Sequence, residues 1–198
     1  MSQNSKMLRT NLLLLSFIEK AYNEDTNKGI TLKDYPKGTF LCKQDEQSYK
    51  IAIVRSGFAK CFYSEENGKD FILEFLGKGE IIGEIEALRN IKYLCNVAAV
   101  TDVQAYVFST SYFKSLLDDN HHFGRILLEE LAERIINTSS RAAHQQLYTI
   151  KHGLSKLLDL QEKQGIKLSK ADMASYLGIE IRSLNRALKN LAHLHRMF

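Results

Sequence analysis

The hydrophobic pattern between residues 169 and 191 predicts two short helices joined by a tight turn. Ser169 can cap the first helix by accepting from free backbone N–H groups, and Asp172 adds negative charge near that positive end. Gly178 supplies the left-handed conformation with which a chain commonly leaves a helix. The apolar residues of the second helix recur at spacings of three and four, so they share one buried face. They are Leu184, Ala187, Leu188 and Leu191.

The opposite face of the second predicted helix is polar and cationic, and no acidic residue follows Glu180. An α-helix fits the major groove of DNA, where Arg pairs with guanine and Asn with adenine. The pattern therefore predicts a helix-turn-helix that binds DNA, although an ordinary helical hairpin with a solvated basic face has the same spacing. The predicted DNA-binding residues are Ser169, Arg182, Ser183, Asn185, Arg186 and Lys189.

The pattern before residue 109 is different. Residues 7–23 have a helical period, and residues 29–108 hold short β-forming runs separated by turn signals. Asn67-Gly68 favours a hairpin turn with positive φ. Several short strands with glycine at the corners predict an antiparallel β-roll of the jelly-roll type. The predicted strands are residues 39–42, 51–54, 58–63, 71–76, 96–101 and 104–108.

A long helical pattern spans residues 121–147. A helix of about 26 residues would be about 39 Å long, which exceeds what a small domain needs. Its apolar stripe fits a two-chain coiled coil, so we predict a homodimer, with a helix lying across its own roll as the alternative. The residues assigned to dimerisation are Leu127, Leu128, Leu131, Ile135, Thr138 and Ala142.

The charge distribution sharpens the domain organisation. Residues 149–198 hold nine Lys and Arg against four Asp and Glu, whereas the rest of the chain holds 18 against 19. The positive charge therefore lies with the paired helices, which favours nucleic acid as a partner. We expect an α+β chain with the β-roll at residues 1–117, a dimerisation helix at 118–147 and a helix-turn-helix unit at 148–198.

The sequence gives no sign of export or of a membrane span. No apolar run reaches the roughly 18 residues that a span needs, and no cleavage site follows the run at residues 12–18. Three widely separated cysteines, Cys42, Cys61 and Cys95, argue for a reducing compartment, so we expect a cytoplasmic protein. We interpret the cysteines as small buried residues, with a reactive thiol as the alternative for Cys42.

The order of these units resembles the CRP/FNR family of bacterial transcription regulators. The segment IAIVRSGFAKCFYSEENGKDFILEFLGKGEIIGEIEAL is similar to that family's cyclic-nucleotide-binding signature, and LSKADMASYLGIEIRSLNRALKNL is similar to its DNA-binding motif. IIGEIE is most similar to the YeiL-type members. The resemblance implies a homodimer that binds palindromic double-stranded DNA and in which an effector or redox signal sets the angle between roll and helix-turn-helix. RNA polymerase is a further candidate partner. A jelly-roll enzyme is disfavoured, because residues 29–108 contain no His.

The resemblance also predicts where an effector would bind. Relatives that bind cyclic nucleotides carry Gly-Glu and, farther along, an Arg-Ser pair that holds the phosphate. This chain keeps Gly83-Glu84 but aligns Tyr93-Leu94 with Arg-Ser. Without Arg a buried phosphate loses its bidentate partner, so we expect an unidentified effector other than cyclic AMP, or none. The assigned pocket is Gly83, Glu84, Glu86 and Tyr93, and no cofactor or metal is predicted.

The DNA-binding segment departs from the family as well. In the family, the recognition helix usually begins with Ser or Thr, followed by a base-reading Arg or Val and then Glu. In this chain Glu180, Ile181 and Arg182 align with those positions. Arg186 matches a later base-reading Arg. The family continues into a β-hairpin wing, which is either naturally absent here or cut off, because the sequence stops at Phe198. The second hypothesis is therefore a ligand-binding or protein-interaction module with degenerate DNA binding.

Overall fold

The computed structural model describes residues 8–24, 29–147 and 149–195. An N-terminal strand and helix precede a β-rich middle, and five helices follow in succession. The strands are β1 (Leu8–Arg9), β2 (Ile30–Tyr35), β3 (Phe40–Cys42), β4 (Lys50–Ser56), β5 (Ala59–Ser64), β6 (Asp70–Leu76), β7 (Ile81–Ile82), β8 (Asn96–Ala99) and β9 (Val103–Ser109). The helices are α1 (Leu12–Glu24), α2 (Glu84–Arg89), α3 (Thr110–Asp119), α4 (His121–Leu147), α5 (Ile150–Gln164), α6 (Lys170–Leu177) and α7 (Ile181–His195).

Two sheets form the predicted β-roll. One has the strand order β1-β6-β5-β8-β3 and the other has the order β2-β9-β4-β7. Apart from the parallel pair β1 and β6, the pairings between described strands are antiparallel. Side chains from both sheets, among them Leu41, Val54 and Val97, form a buried apolar cluster between them. The predicted α+β fold with an antiparallel roll is confirmed.

The N-terminal helix begins later than its periodicity predicts. Leu8 and Arg9 form a strand beside β6, and α1 begins at Leu12. The side-chain oxygen of Asn11 accepts from the backbone N–H of Leu14 at 2.9 Å, which caps the helix there. Leu8 pairs with Phe75 of β6 and packs against the apolar cluster that contains Phe75, so it does not belong to the helical period. Strands β2 and β7 and helix α2 were not predicted.

Helices α1, α3 and α4 cover the four-stranded sheet. Phe113 of α3 and Phe123 of α4 are fully buried there, and their rings meet edge to face at 5.9 Å. Helix α4 has the predicted bounds. None of the helices in the described ranges is long and apolar enough to cross a bilayer.

Helices α5, α6 and α7 pack against the five-stranded sheet. Phe75 of β6 stacks on Tyr176 of α6, with ring centroids 5.3 Å apart. The C-terminal unit therefore shares one apolar cluster with the roll instead of standing apart from it. That cluster includes Phe62, Ile72 and Phe75 of the sheet and Leu154, Leu157, Met173 and Leu184 of the helices.

Candidate DNA-reading helix and effector cavity

Helices α6 and α7 form the predicted helical hairpin. The Ser169 hydroxyl accepts from the backbone N–H of Asp172 at 3.0 Å and donates to its carboxylate at 2.7 Å, so Ser169 is the N-cap of α6. Gly178 ends the helix in the left-handed conformation, with φ 66°. Leu184 and Leu191 are buried on the inner face of α7, as their spacing predicts.

The outer face of α7 presents cations to solvent. Arg182, Arg186 and Lys189 are exposed, and none of them has a carboxylate within 4.0 Å in the described part of the chain. Ser183 and Asn185 are half-buried, and the Asn185 amide oxygen accepts from the Lys170 ammonium at 2.9 Å. The helix therefore offers three free cations and one amide along a single face.

A cavity of about 390 Å³ lies between the roll and the helices α2, α4 and α6. All four residues assigned to an effector pocket line it: Gly83, Glu84, Glu86 and Tyr93. Gly83 has φ 92°, and a Cβ atom there would lie 2.9 Å from the carbonyl oxygen of Lys50. Only glycine fits this position without strain, so Gly83 shapes the cavity through its backbone.

Glu84 is not free to receive a ligand, because it is fully buried and its carboxylate forms an ion pair with Arg134 of α4. Burial raises the pKa of Glu84, and the neighbouring Arg134 opposes that shift. The Arg134 guanidinium also donates to the carbonyl oxygen of Ile81 at 3.3 Å. The long helix thereby holds the residue that the family resemblance assigns to the effector.

A second buried cation continues this network on the other side. Arg9 of β1 pairs with Glu74 at 2.8 Å, with Glu80 at 2.9 Å and with Glu130 of α4. Burial raises the pKa of Glu80 to about 7, because Arg9 and Arg134 offset only part of the cost of removing its carboxylate from water. Four carboxylates thus share two guanidinium groups, which favours a proton on at least one of the acids.

The turn that carries Tyr93 and Leu94 offers no cation to the cavity. The Tyr93 hydroxyl donates to the carbonyl oxygen of Lys50 at 2.9 Å, and the backbone N–H of Leu94 donates to Glu86 at 3.0 Å. Burial raises the pKa of Tyr93 to about 12, so its hydroxyl stays neutral. Lys92 is exposed and lines a separate surface groove. The place of the family's phosphate-holding pair is therefore neutral here.

Arg141 of α4 connects three parts of the molecule. Its guanidinium donates to the carbonyl oxygens of Ile72 in the roll at 2.6 Å and of Tyr176 in α6 at 3.3 Å. It also lies 4.2 Å from the ring centre of Tyr176 and 5.4 Å from that of Phe71. Sequence reasoning missed Arg134 and Arg141, although their spacing of seven places both on one face of α4.

The apolar stripe assigned to dimerisation divides between two faces. Leu127 is 2% exposed inside the cluster that α4 shares with the roll, so the structure corrects its assignment from interface to core. Leu131 packs partly against the same cluster. Leu128 and Ile135 are 69% and 68% exposed. Thr138 and Ala142 are exposed and also line the cavity.

The roll matches a family model, and most of the chain aligns with known transcriptional regulators. Residues 32–120 match the family model of the cyclic nucleotide-binding domain. The CRP-like cAMP-activated global transcriptional regulator of Mycobacterium tuberculosis is 22% identical over 171 residues, covering 81% of this chain and 76% of that protein. The cAMP-activated global transcriptional regulator CRP of Haemophilus influenzae is 23% identical over 180 residues, covering 83% and 80%.

Solved structures show the same fold. The c-di-GMP-responsive regulator CLP of Xanthomonas campestris superposes with a TM-score of 0.77 at 17% identity, covering 90% of this chain and 91% of that one. A transcriptional regulator of the crp/fnr family from Eubacterium rectale gives 0.76 at 17% identity, covering 91% and 86%. With the nucleotide-binding-type roll, the long helix and the helical hairpin in the same order, these matches support membership of the CRP/FNR family of transcriptional regulators.

Proposed function

We propose that the protein is a homodimeric regulator of transcription that binds a palindromic DNA site through α7. The observation that supports this most strongly is the exposed outer face of α7, where Arg182, Arg186 and Lys189 have no carboxylate partner among the described residues. Cations without partners can neutralise phosphates or donate to base edges, whereas cations held in ion pairs are less available.

The positions along α7 suggest different roles for the three cations. Helix-turn-helix proteins read bases mainly from the first turns of the second helix, which assigns Arg182 and Arg186 to base edges. Lys189 lies a turn later, where the DNA backbone is the nearer partner. Ser169 contributes by capping α6, and Asn185 by its amide group, while Lys170 holds the Asn185 oxygen.

The exposed stripe of α4 is the proposed dimer interface. Leu128 and Ile135 lie seven residues apart, so both face the same side, and each exposes more than two thirds of its surface. Exposed apolar residues that continue along one helix face are typical of a two-chain seam. A dimer also places two α7 helices on one DNA duplex, as a palindromic site requires.

The proposed regulator responds to a signal other than cyclic AMP or needs no ligand. Glu84 is already paired with Arg134, and the turn at Tyr93 and Leu94 supplies no cation for a phosphate. Titration calorimetry with cyclic AMP should show no binding near micromolar affinity, which corresponds to about −8 kcal/mol. A dissociation constant of that order would refute this part of the proposal.

The dimer can be tested by introducing charge into the stripe. Leu128→Asp together with Ile135→Asp should convert the dimer to monomers in multi-angle light scattering, because two buried charges at a seam are costly. Leu13→Asp is the control, since Leu13 of α1 is equally exposed at 68% but lies outside α4. A dimer that survives the double substitution would place the interface elsewhere.

DNA binding is tested by selection from a random duplex library at low salt, with the full chain. The proposal predicts enrichment of sites with two-fold symmetry and an affinity that falls as salt rises. If the chain retains no DNA at low salt, the proposed function is wrong and the protein is an interaction module instead.

A further inference from the structure

The three cysteines of the chain converge on the wall of the effector cavity. Cys42 lies in β3, Cys61 in β5, and Cys95 directly before β8. The sheet order β5-β8-β3 makes these strands neighbours, and all three residues line the cavity. Three residues that are 19 and 34 positions apart in the sequence thus place their thiols on one surface. The regulator proposed above does not use them.

The three thiols differ in their surroundings. Cys42 is buried, which raises its pKa to about 12 and keeps the thiol protonated. Cys61 and Cys95 are partly exposed, and the Cys61 thiol donates a hydrogen bond to the Cys95 sulfur. That donor lowers the pKa of Cys95 and correspondingly raises the pKa of Cys61. Cys95 is also the one cysteine of the three that lies outside a strand, in the bend before β8, so we assign it as the attacking thiol, whose thiolate is the reactive form.

The backbone allows Cys61 and Cys95 to approach more closely. Cys61 pairs with Val97 across β5 and β8, so Cys95 is its diagonal neighbour on the same face of the sheet. Diagonal neighbours in regular strands lie farther apart than a disulfide permits. Cys61 lies in a regular part of the β5–β8 ladder, whereas Cys95 lies in the bend before β8, outside the ladder. That position leaves Cys95 freer to move towards Cys61 than a residue inside a regular ladder.

We propose that Cys95 and Cys61 form a reversible oxidation site that reacts with a small hydroperoxide entering the cavity. The Cys95 thiolate attacks the outer peroxide oxygen, the O–O bond breaks, and the alkoxide leaves as an alcohol after taking a proton, so that Cys95 becomes a sulfenic acid. The Cys61 sulfur then attacks the Cys95 sulfur and releases water. The net reaction converts two thiols and one hydroperoxide into a disulfide, an alcohol and water.

The site is tested on the reduced full chain without DNA, so its outcome does not depend on whether the protein binds DNA. The protein is treated with tert-butyl hydroperoxide, free thiols are counted over time, and peptides are mapped by mass spectrometry without reduction. We expect two of the three thiols to be lost together, a Cys61–Cys95 linked peptide, and full recovery with dithiothreitol. Three thiols lost independently, or a disulfide between chains, would overturn the proposal.

Single substitutions separate the roles. Cys42→Ala is the matched control and should leave disulfide formation unchanged, because Cys42 takes no part. Cys95→Ala should slow thiol loss by at least about tenfold, since the remaining thiols are protonated. Cys61→Ala should stop the reaction at a Cys95 sulfenic acid that dimedone traps. Circular dichroism establishes that each variant is folded. If Cys42→Ala alone prevents the oxidation, the assignment of the pair is wrong.

Discussion

The outer face of α7 and the cavity beneath α4 both depend on arginines, but they hold them in opposite ways. On α7, Arg182 and Arg186 are exposed and without a carboxylate partner among the described residues. At the cavity, Arg134 is mostly buried and contacts three carboxylates, those of Glu80, Glu84 and Glu130. Free cations are available to an external anion, whereas paired and buried cations hold the molecule together.

The same difference decides how much a substitution in each region lowers the stability of the fold. A buried charge that loses its partner must still remain out of water, so breaking the pair is expensive. An exposed charge is solvated in either case, so its removal affects folding little. Substitutions at the cavity should therefore change stability, and substitutions on α7 should change DNA binding.

The largest effect is expected at Arg134. Arg134→Ala leaves the buried carboxylate of Glu84 without its cation, and we expect the free energy of unfolding to fall by about 3 to 5 kcal/mol. Arg186→Ala is the control of the same chemistry on the exposed helix and should change it by less than about 0.5 kcal/mol. Urea unfolding followed by circular dichroism measures both.

A double substitution distinguishes charge from packing at this site. Arg134→Met combined with Glu84→Gln removes both charges while keeping most of the volume, and it should recover a large part of the stability that Arg134→Ala loses. Equal losses in Arg134→Ala and in the double variant would show that the side-chain contacts matter rather than the ion pair.

The pH dependence of stability provides the next largest effect. The pKa of Glu80 is raised from 4.5 to about 7, so the folded chain keeps a proton that the unfolded chain releases near pH 4.5. The resulting stabilisation is complete below pH 4.5 and is lost as the pH rises to 7. Between pH 5 and pH 8 the free energy of unfolding should fall by up to about 3 kcal/mol from this group.

Glu80→Gln should remove that part of the slope, because Gln resembles the protonated acid. At pH 8 the variant should be more stable than the parent chain in urea unfolding. Glu129→Gln, an exposed change on α4, controls for the loss of one acidic side chain. If Glu80→Gln lowers the free energy of unfolding at pH 8, the ionised carboxylate of Glu80 stabilises the fold by pairing with Arg9. The contribution of this group to stability would then rise with pH instead of falling.

DNA affinity should respond to α7 by a smaller amount. Arg182→Ala and Arg186→Ala should each cost roughly 1 to 3 kcal/mol per half-site, because each removes a proposed bidentate contact to a base. Fluorescence anisotropy with the selected duplex measures the loss. Lys163→Ala, which removes a cation from the end of α5, is the control and should have little effect on binding to that duplex.

The smallest effect is expected at an exposed ion pair between the roll and the helical hairpin. Lys69 of the loop between β5 and β6 pairs with Glu180, just before α7, at 3.0 Å, and both side chains are more than two thirds exposed. Exposed pairs of this kind contribute about 0.2 to 1 kcal/mol and are screened by salt. Lys69→Ala should therefore lower the melting temperature slightly at low salt and not at all at high salt. A loss that persists at high salt would show that Lys69 packs as well as pairs.

The sequence predicts the α7 face well and the cavity poorly, and the reason is physical. The face is formed by one helix, so the spacing of Leu184, Leu188 and Leu191 is enough to locate the residues opposite them. The boundaries of α6, the helix before it, also depend on neighbouring residues only, namely the Ser169 cap and the left-handed Gly178.

The cavity is formed by strands and helices that are distant in the sequence. Gly83, Glu84 and Tyr93 could be assigned from the family resemblance, but their partners could not. The pairing of Glu84 with Arg134 joins residues 50 positions apart, and that of Arg9 with Glu130 joins residues 121 apart. On the helical pattern alone Glu130 and Arg134 fall among solvated charges, and only the packing of α4 on the roll buries them. The same packing buries Leu127 in the core, whereas the sequence pattern assigned it to the dimer interface.

One experiment tests the proposed division of labour on α7 most directly. Duplex library selection is carried out with the parent chain and with Arg182→Ala, Arg186→Ala and Lys189→Ala, each at several salt concentrations. We predict that each arginine variant relaxes the preference at one base position per half-site, whereas Lys189→Ala keeps the selected sequence and lowers the salt slope by about one. If all three variants lose affinity equally and select the same sequence as the parent chain, α7 supplies only general positive charge and does not read bases.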